Sequence, residues 1–182
     1  MQKEYIERNV RDRLIIAGIN ELEERGIRDF SLRRCALSAE VSCAAPYRHF
    51  KDKEDFISEI IKYISSKWML LCSEIERIFT SDKRRLIIEL AVANLRFWLA
   101  NANYRSVLLT VSTSSGDVLS YFDAPLMSAI DSWCGERGED RAGKRYTVRA
   151  LLYGSLMMTS AGEGCQAIPD LLRRELEITF FE

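Results

Sequence analysis

A chain of 182 residues, 47% hydrophobic and 29% charged, can bury a real core, which excludes a disordered or fibrous polypeptide and fits one large or two small domains. The formal net charge of −1 is close to neutral, no apolar run approaches 18 residues free of charge, and no charged-then-apolar segment opens the chain, so a soluble, cytoplasmic protein without a membrane span is expected. Cys35, Cys43, Cys72, Cys134 and Cys165 are irregularly spaced without a C-x-x-C pair, and His49 is the single histidine; this excludes a zinc site or disulfide framework and suits a reducing compartment.

Tyr5, Val10, Leu14, Ala17 or Gly18, and Leu22 recur every three to five residues and predict an amphipathic first helix that stops at Gly26. Ser31 can cap a second helix, along which Leu32, Cys35, Ala36 and Ala39 keep helical spacing, and Val41 supplies an apolar plug in the turn that follows. Ser42 can cap a third helix beginning with the small residues Cys43, Ala44 and Ala45; Pro46 then falls near the end of its first turn, where little helical bonding is lost. Two short helices around a tight turn have the layout of a helix-turn-helix, whose second helix enters the major groove of DNA. Tyr47, Arg48, His49, Lys51 and Lys53 follow, offering hydroxyl, imidazole and cationic groups to phosphate oxygens. From Arg25 to Lys53 there are seven Lys or Arg against three Asp or Glu, so the positive charge is local.

Beyond this segment Phe56, Ile60, Ile64, Trp68, Leu71, Ile75 and Ile78 predict one long helix leading from head to body. Lys83, Arg84 and Arg85 lie next to Ser81 and Asp82 at an expected helix start and read as a solvated face. Leu86 to Leu99 is apolar nearly all round and predicts a buried central helix. A short piece from Tyr104 to Val111, a Ser/Thr/Gly stretch from Ser112 to Gly116 and a helix from about Asp123 to Trp133 come next, and Gly135, Gly138 and Gly143 mark a loop. A helix from about Arg145 to Ser160 and a last one from near Pro169, carrying Leu171, Leu172, Leu176 and Phe180, complete the chain. No long run alternates with period two, so the chain is all-α.

The first third of the chain resembles the N-terminal domain of the TetR/AcrR family of transcriptional regulators. The matching residues are Arg13, Leu14, Ile15 and Ala17 in the first helix, Gly26 ending it, and Phe30 and Ser31 opening the second. Cys35 and Ala36 stand where the family has Ile-Ala, Val41 and Ser42 where it has Val-Ser, and Tyr47, His49, Phe50, Lys53 and Glu54 fit its Tyr-x-His-Phe-x-x-Lys-Glu ending. Glu40 departs from the pattern, occupying a turn position where the family prefers Gly. The resemblance implies a three-helix DNA-binding domain over residues 1–52 and an all-helical effector-binding and dimerisation domain over 53–182. It also implies a homodimer on a palindromic double-stranded DNA operator, most commonly as a repressor released by a small-molecule effector, with no cofactor.

By position, the resemblance assigns DNA contacts to Ser31, Arg33, Ser42, Cys43, Ala44, Ala45, Tyr47, Arg48, His49 and Lys53. As an arginine, Arg33 can pair bidentately with guanine, although it also reads as a solvated helix face; the small residues favour thymine methyls and DNA shape over a dense hydrogen-bond code. Cys43 admits a redox reading as well as a close-fitting one. Phe97, Trp98, Tyr104, Phe122, Met127 and Met157, with Trp133 and Met158, can line an effector pocket, apolar or aromatic in preference, and equally read as plain core. Leu151, Gly154, Ser155, Leu172 and Leu176, with the small Ser160 and Ala161, are candidates for a four-helix dimer interface or for completing a monomer core. No G-x-S-x-G, P-loop or metal-ligand pair is present and the lone histidine lies in the DNA motif, which excludes an enzyme. The alternative is a helical dimeric interaction protein that has lost specific DNA binding, which Glu40 favours.

Overall fold

A computed structural model of the chain describes residues 2–104, 107, 119–160 and 167–181, with side chains over 9–104, 107, 122–158 and 167–178. The side chains of Tyr5, Ser160 and Phe180, most of the piece after Tyr104, the Ser112–Gly116 stretch, Ala161 and Cys165 lie outside these residues. The main elements are α1 Gln2–Arg25, α2 Leu32–Ser38, α3 Pro46–His49, α4 Lys53–Ile78, α5 Lys83–Ala100, α6 Leu119–Arg137, α7 Arg141–Ser160 and α8 Ile168–Phe181. All regular structure among the described residues is therefore helical, in agreement with the sequence.

Packing divides the chain into two units. The first comprises the described parts of 1–67 and 102–118, the second those of 68–101 and 119–182. The division falls inside α4, later than the boundary between residues 52 and 53 expected from sequence. The reason lies in the first turns of α4, whose apolar residues complete the core of the head.

In the first unit α1 buries Leu14, Ile15, Ile19 and Leu22. It stops at Gly26, where φ is +70° and the N–H donates to the Leu22 carbonyl at 2.9 Å. Gly18 permits a close approach to α4, since a Cβ there would lie 2.7 Å from Ile60 Cδ1 and 3.1 Å from the Phe56 ring. Phe50 stacks on Phe56 at 4.0 Å, and Phe30 meets Phe56 edge-on at 5.5 Å. Arg11 lies 5.7 Å over the Phe50 ring and pairs with Glu59 on α4. Lys62 and Arg11 together hold the Glu59 carboxyl below the usual carboxylate range. Two carboxylates close the start of α4: Asp52 caps it by accepting from the Asp55 N–H at 2.8 Å, and Asp55 accepts from the Lys51 N–H, just ahead of the cap, at 2.9 Å.

In the second unit α5 is the central helix its sequence predicts, burying Ile87, Ile88, Leu90, Ala91, Val92, Leu95 and Trp98. Buried Asn94 organises the polar groups inside this core. Its Oδ1 accepts from Trp98 Nε1 at 2.9 Å and its amide donates to the Phe122 carbonyl at 3.0 Å, while Trp68 Nε1 donates to the same carbonyl at 2.8 Å. These buried donors are thereby satisfied.

The helix ends correct two expectations. Gly135 and Gly143 lie within helices, and the loop predicted around them is only a turn at Gly138, whose φ of +66° lets Glu139 N–H reach the Cys134 carbonyl at 3.2 Å. Asp140 then caps α7 by accepting from Ala142 N–H at 3.1 Å, and its carboxylate occupies the space that a side chain at Gly143 would need. The basic run is also more than a solvated face. Asp82 caps α5 through Arg85 N–H at 3.0 Å, Lys83 reaches Ser132 Oγ at 2.9 Å and pairs with Glu136 on α6, and Arg85 covers the Phe79 ring at 5.3 Å.

Candidate nucleic-acid interface

The motif begins at Ser31, whose extended backbone, with φ −132°, and Oγ accepting from Arg34 N–H at 3.4 Å make it the cap of α2. The two arginines that follow are sorted by environment. Arg34 turns inward, donating to the buried Glu21 at 2.7 Å and to the Asp29 carbonyl, and the Glu21 carboxylate raises its pKa. Arg33 stays exposed.

The end of α2 is a Schellman turn: Val41 N–H donates to the Ala36 carbonyl at 3.0 Å and Glu40 N–H to the Leu37 carbonyl at 3.0 Å. The geometry requires a left-handed residue, and Glu40 supplies it with φ +53°, the one positive φ at a non-glycine among the described residues. A side chain in that conformation costs about 1 kcal/mol. Arg13 of α1 reaches this turn: it donates to the Ala39 carbonyl, lies 3.4 Å from the Glu40 carbonyl, and pairs at 3.6 Å with the Glu40 carboxylate.

The third helix starts later than the sequence suggests. Ser42 does not cap it; Ser42 to Ala45 form a turn closed by Ala45 N–H to the Ser42 carbonyl at 2.9 Å, and α3 runs from Pro46 to His49 without a side-chain cap. Pro46 explains the shift. It has no N–H to continue a helical ladder back to Ser42, and its fixed φ suits the first position of a helix. Ser42, Cys43 and Ala44 are exposed ahead of α3, whereas Ala45 and Pro46 are buried, so Ala45, unlike the three residues before it, offers no side chain to the surface.

Tyr47 is 66% exposed, Arg48 is exposed and His49 is half-buried. Lys53, also half-buried, donates to the Arg28 carbonyl at 3.3 Å, which orients it at the start of α4. Arg33, Cys43, Ala44, Tyr47, Arg48 and Lys51 are each exposed on the first unit. Sequence reasoning missed Leu37, 62% exposed on α2 one turn after Arg33. The available signal was its position outside the Leu32, Cys35, Ala36 and Ala39 stripe. The thiols differ too: Cys43 is exposed, whereas burial pushes Cys35 up to about 12 and does the same for Cys72.

The candidate effector residues have different fates. Trp98, Phe122 and Met127 are core, with the Trp98 and Phe122 rings 4.8 Å apart edge-on. Phe97 borders an open groove of about 420 Å³ with Leu71, Ile75 and Ala93. Met157 and Met158 are exposed, Trp133 is buried under Arg137, and Tyr104 belongs to the first unit, where burial raises its hydroxyl pKa. Close packing of the indole and phenyl rings has thus taken three of the six expected pocket residues into the core.

Of the interface candidates, Leu172 and Leu176 are buried within the second unit, because the apolar stripe of α8 completes its core. Leu151 and Ser155 are half-buried and Gly154 is exposed, with open space where a Cβ would stand. Tyr146, Ala150, Gly154 and Met157 form an exposed stripe at helical spacing on α7, and Leu171 and Ile178 are exposed on α8.

Residues 14–60 match the family model of bacterial regulatory proteins of the tetR family. Among solved structures, the transcriptional regulator FadR from Bacillus subtilis in complex with stearoyl-CoA is similar with TM-score 0.71 and 16% identity, over 90% of this chain and 96% of that one. The TetR-family regulator PfmR from Thermus thermophilus gives TM-score 0.69 and 18% identity, over 92% and 94%. A protein described as superantigen PfiT gives TM-score 0.75 and 14% identity, over 93% and 95%. None of the curated protein sequences matches. At these identities the structures speak for the fold, while the family match falls on the helix-turn-helix itself. No described helix is long and apolar enough to cross a membrane. The helix-turn-helix over residues 14–60 is thus of the tetR type of bacterial regulatory proteins, and the fold of the described residues is similar to that of solved TetR-family transcriptional regulators.

Proposed function

We propose that this protein is a ligand-responsive transcriptional regulator that binds a palindromic operator as a homodimer and acts as a repressor. The observation that carries the reading is the exposure, within the helix-turn-helix, of the small residues Cys43 and Ala44 ahead of α3 together with Tyr47 and Arg48 on α3 and Arg33 on α2. Cations and the tyrosine hydroxyl grip phosphates, and the small residues admit close approach to base edges. The sparse donors favour methyl contacts and DNA shape.

A dimer matters because one head grips few phosphates, whereas two heads a helical turn or its multiple apart read a palindrome. The exposed stripe of Tyr146, Ala150, Gly154 and Met157 supports α7 as part of that interface. The effector is apolar or amphiphilic in this reading. The FadR relative is bound to stearoyl-CoA, which makes long-chain acyl thioesters the first compounds to test. A compound that releases DNA must bind the DNA-free protein more tightly, because coupling between two binding sites is reciprocal.

The test is duplex binding against a genomic fragment pool at several salt concentrations. Affinity should fall steeply with salt through counterion release, and Tyr47→Ala with Lys53→Ala should abolish binding while helical content is retained. Failure of the wild type to bind any fragment tightly would leave the second reading, a helical dimeric interaction protein without specific DNA binding. Glu40 in the motif's turn, together with a superantigen description on a similar fold, keeps that reading in view.

A further inference from the structure

Glu40 is held left-handed in the turn between α2 and the exposed Ser42–Ala44 segment, and an arginine from a different helix is gathered around it. Arg13 donates to the Ala39 carbonyl, approaches the Glu40 carbonyl at 3.4 Å and sits 3.6 Å from the Glu40 carboxylate. Carbonyls at a helix C-terminus carry partial negative charge and lack helical donors, so a guanidinium suits them. Glu40 thus creates strain in its backbone and, through its side chain, offers Arg13 an additional anchor.

We propose that Arg13 is a positioning residue for DNA recognition. It clamps the Glu40 turn in its left-handed form and so fixes how α2 leads into the Ser42–Ala44 turn and α3, without itself touching DNA. Arg13 and Glu40 act as a pair: the cation compensates for the absence of glycine. The inference rests on the DNA-binding reading above and adds a residue outside the recognition segment.

The test compares wild type, Arg13→Gln, Glu40→Gly and the double variant. In free protein, hydrogen exchange at the Glu40 and Val41 amides should quicken about tenfold in Arg13→Gln, while amides in the middle of α1 stay unchanged. On an operator fragment selected by the wild type, Arg13→Gln should weaken binding about tenfold with an unchanged slope of log affinity against log salt. Glu40→Gly should bind as wild type, and adding Arg13→Gln to it should cost less than twofold. A merely structural arginine would lower affinity and melting temperature alike whether or not the Glu40→Gly change is present, which would overturn the proposal. A phosphate contact would also overturn it, and would show as a slope reduced by about 0.9 in both backgrounds. Unchanged exchange at Val41 would overturn the clamp irrespective of DNA. Wild-type protein that binds no DNA would instead overturn the functional reading and, with it, the positioning role, even with the exchange effect present.

Discussion

Neighbouring side chains of the same type are assigned different work by their surroundings. Arg34 is bound to Glu21 and the Asp29 carbonyl, whereas Arg33, one position earlier, faces solvent. The cysteines divide in the same way: the buried thiols of Cys35 and Cys72 are pushed up to about 12, so almost no thiolate exists at neutral pH, while Cys43 is exposed. A short pulse of a thiol reagent on native protein should therefore modify the peptide containing Cys43 and spare those containing Cys35 and Cys72 until denaturant is added. Peptide mapping by mass spectrometry reads this, and native labelling of Cys35 as fast as Cys43 would contradict the packing. Gly18 provides a steric test. Gly18→Val adds a branched side chain where a Cβ would already meet Ile60 and Phe56, and should lower unfolding stability by about 1–3 kcal/mol in a denaturant titration.

At the level of elements, α8 is joined to α5 by Arg173, which donates to both Glu89 oxygens at 2.7 and 2.8 Å. This bond holds the Glu89 carboxyl below its usual range. The folded pKa is thus lower than the unfolded one, so the contribution is fully present above about pH 4.3 and is lost as pH falls through the folded value. Glu89→Gln should cost about 1 kcal/mol at pH 7, discounted for partial exposure, with the difference from wild type shrinking in acid. Chemical denaturation at pH 7 and pH 3 checks it; an equal difference at both would exclude the carboxylate as the cause. The same elements show what a sequence reveals. The existence of α1, α4, α5 and α8 follows from apolar spacing and the stop at Gly26 from the left-handed conformation that glycine tolerates, whereas the stop at Gly138 is masked by Gly135 and Gly143, which stay helical. The start of α3 was obscured because Ser42 has the composition of a cap, and only the ladder across Pro46 decides whether it acts as one. Likewise, spacing shows that Leu172 and Leu176 share a face of α8, but which partner covers that face is set by residues distant in sequence.

At the scale of the molecule, the helix-turn-helix is legible because local turns and caps set its geometry, whereas a proposed effector site depends on how aromatic side chains from several helices pack. Trp98 and Phe122 illustrate this: composition marks them as pocket candidates, and ring packing makes them core. Assembly is tested on the exposed α7 stripe. Gly154→Arg places a charge in its middle without burying it within the subunit, so sedimentation should show a monomer of unchanged helical content whose DNA affinity falls more than tenfold, as expected for losing one of two half-sites. A dimer that persists would move the interface elsewhere. The buried indoles carry a separate, spectroscopic consequence. Trp68, Trp98 and Trp133 are the chain's three tryptophans, and all belong to the second unit. Intrinsic tryptophan fluorescence therefore reports directly on the second unit alone, and melting of residues 1–67 requires tyrosine emission or circular dichroism to be seen.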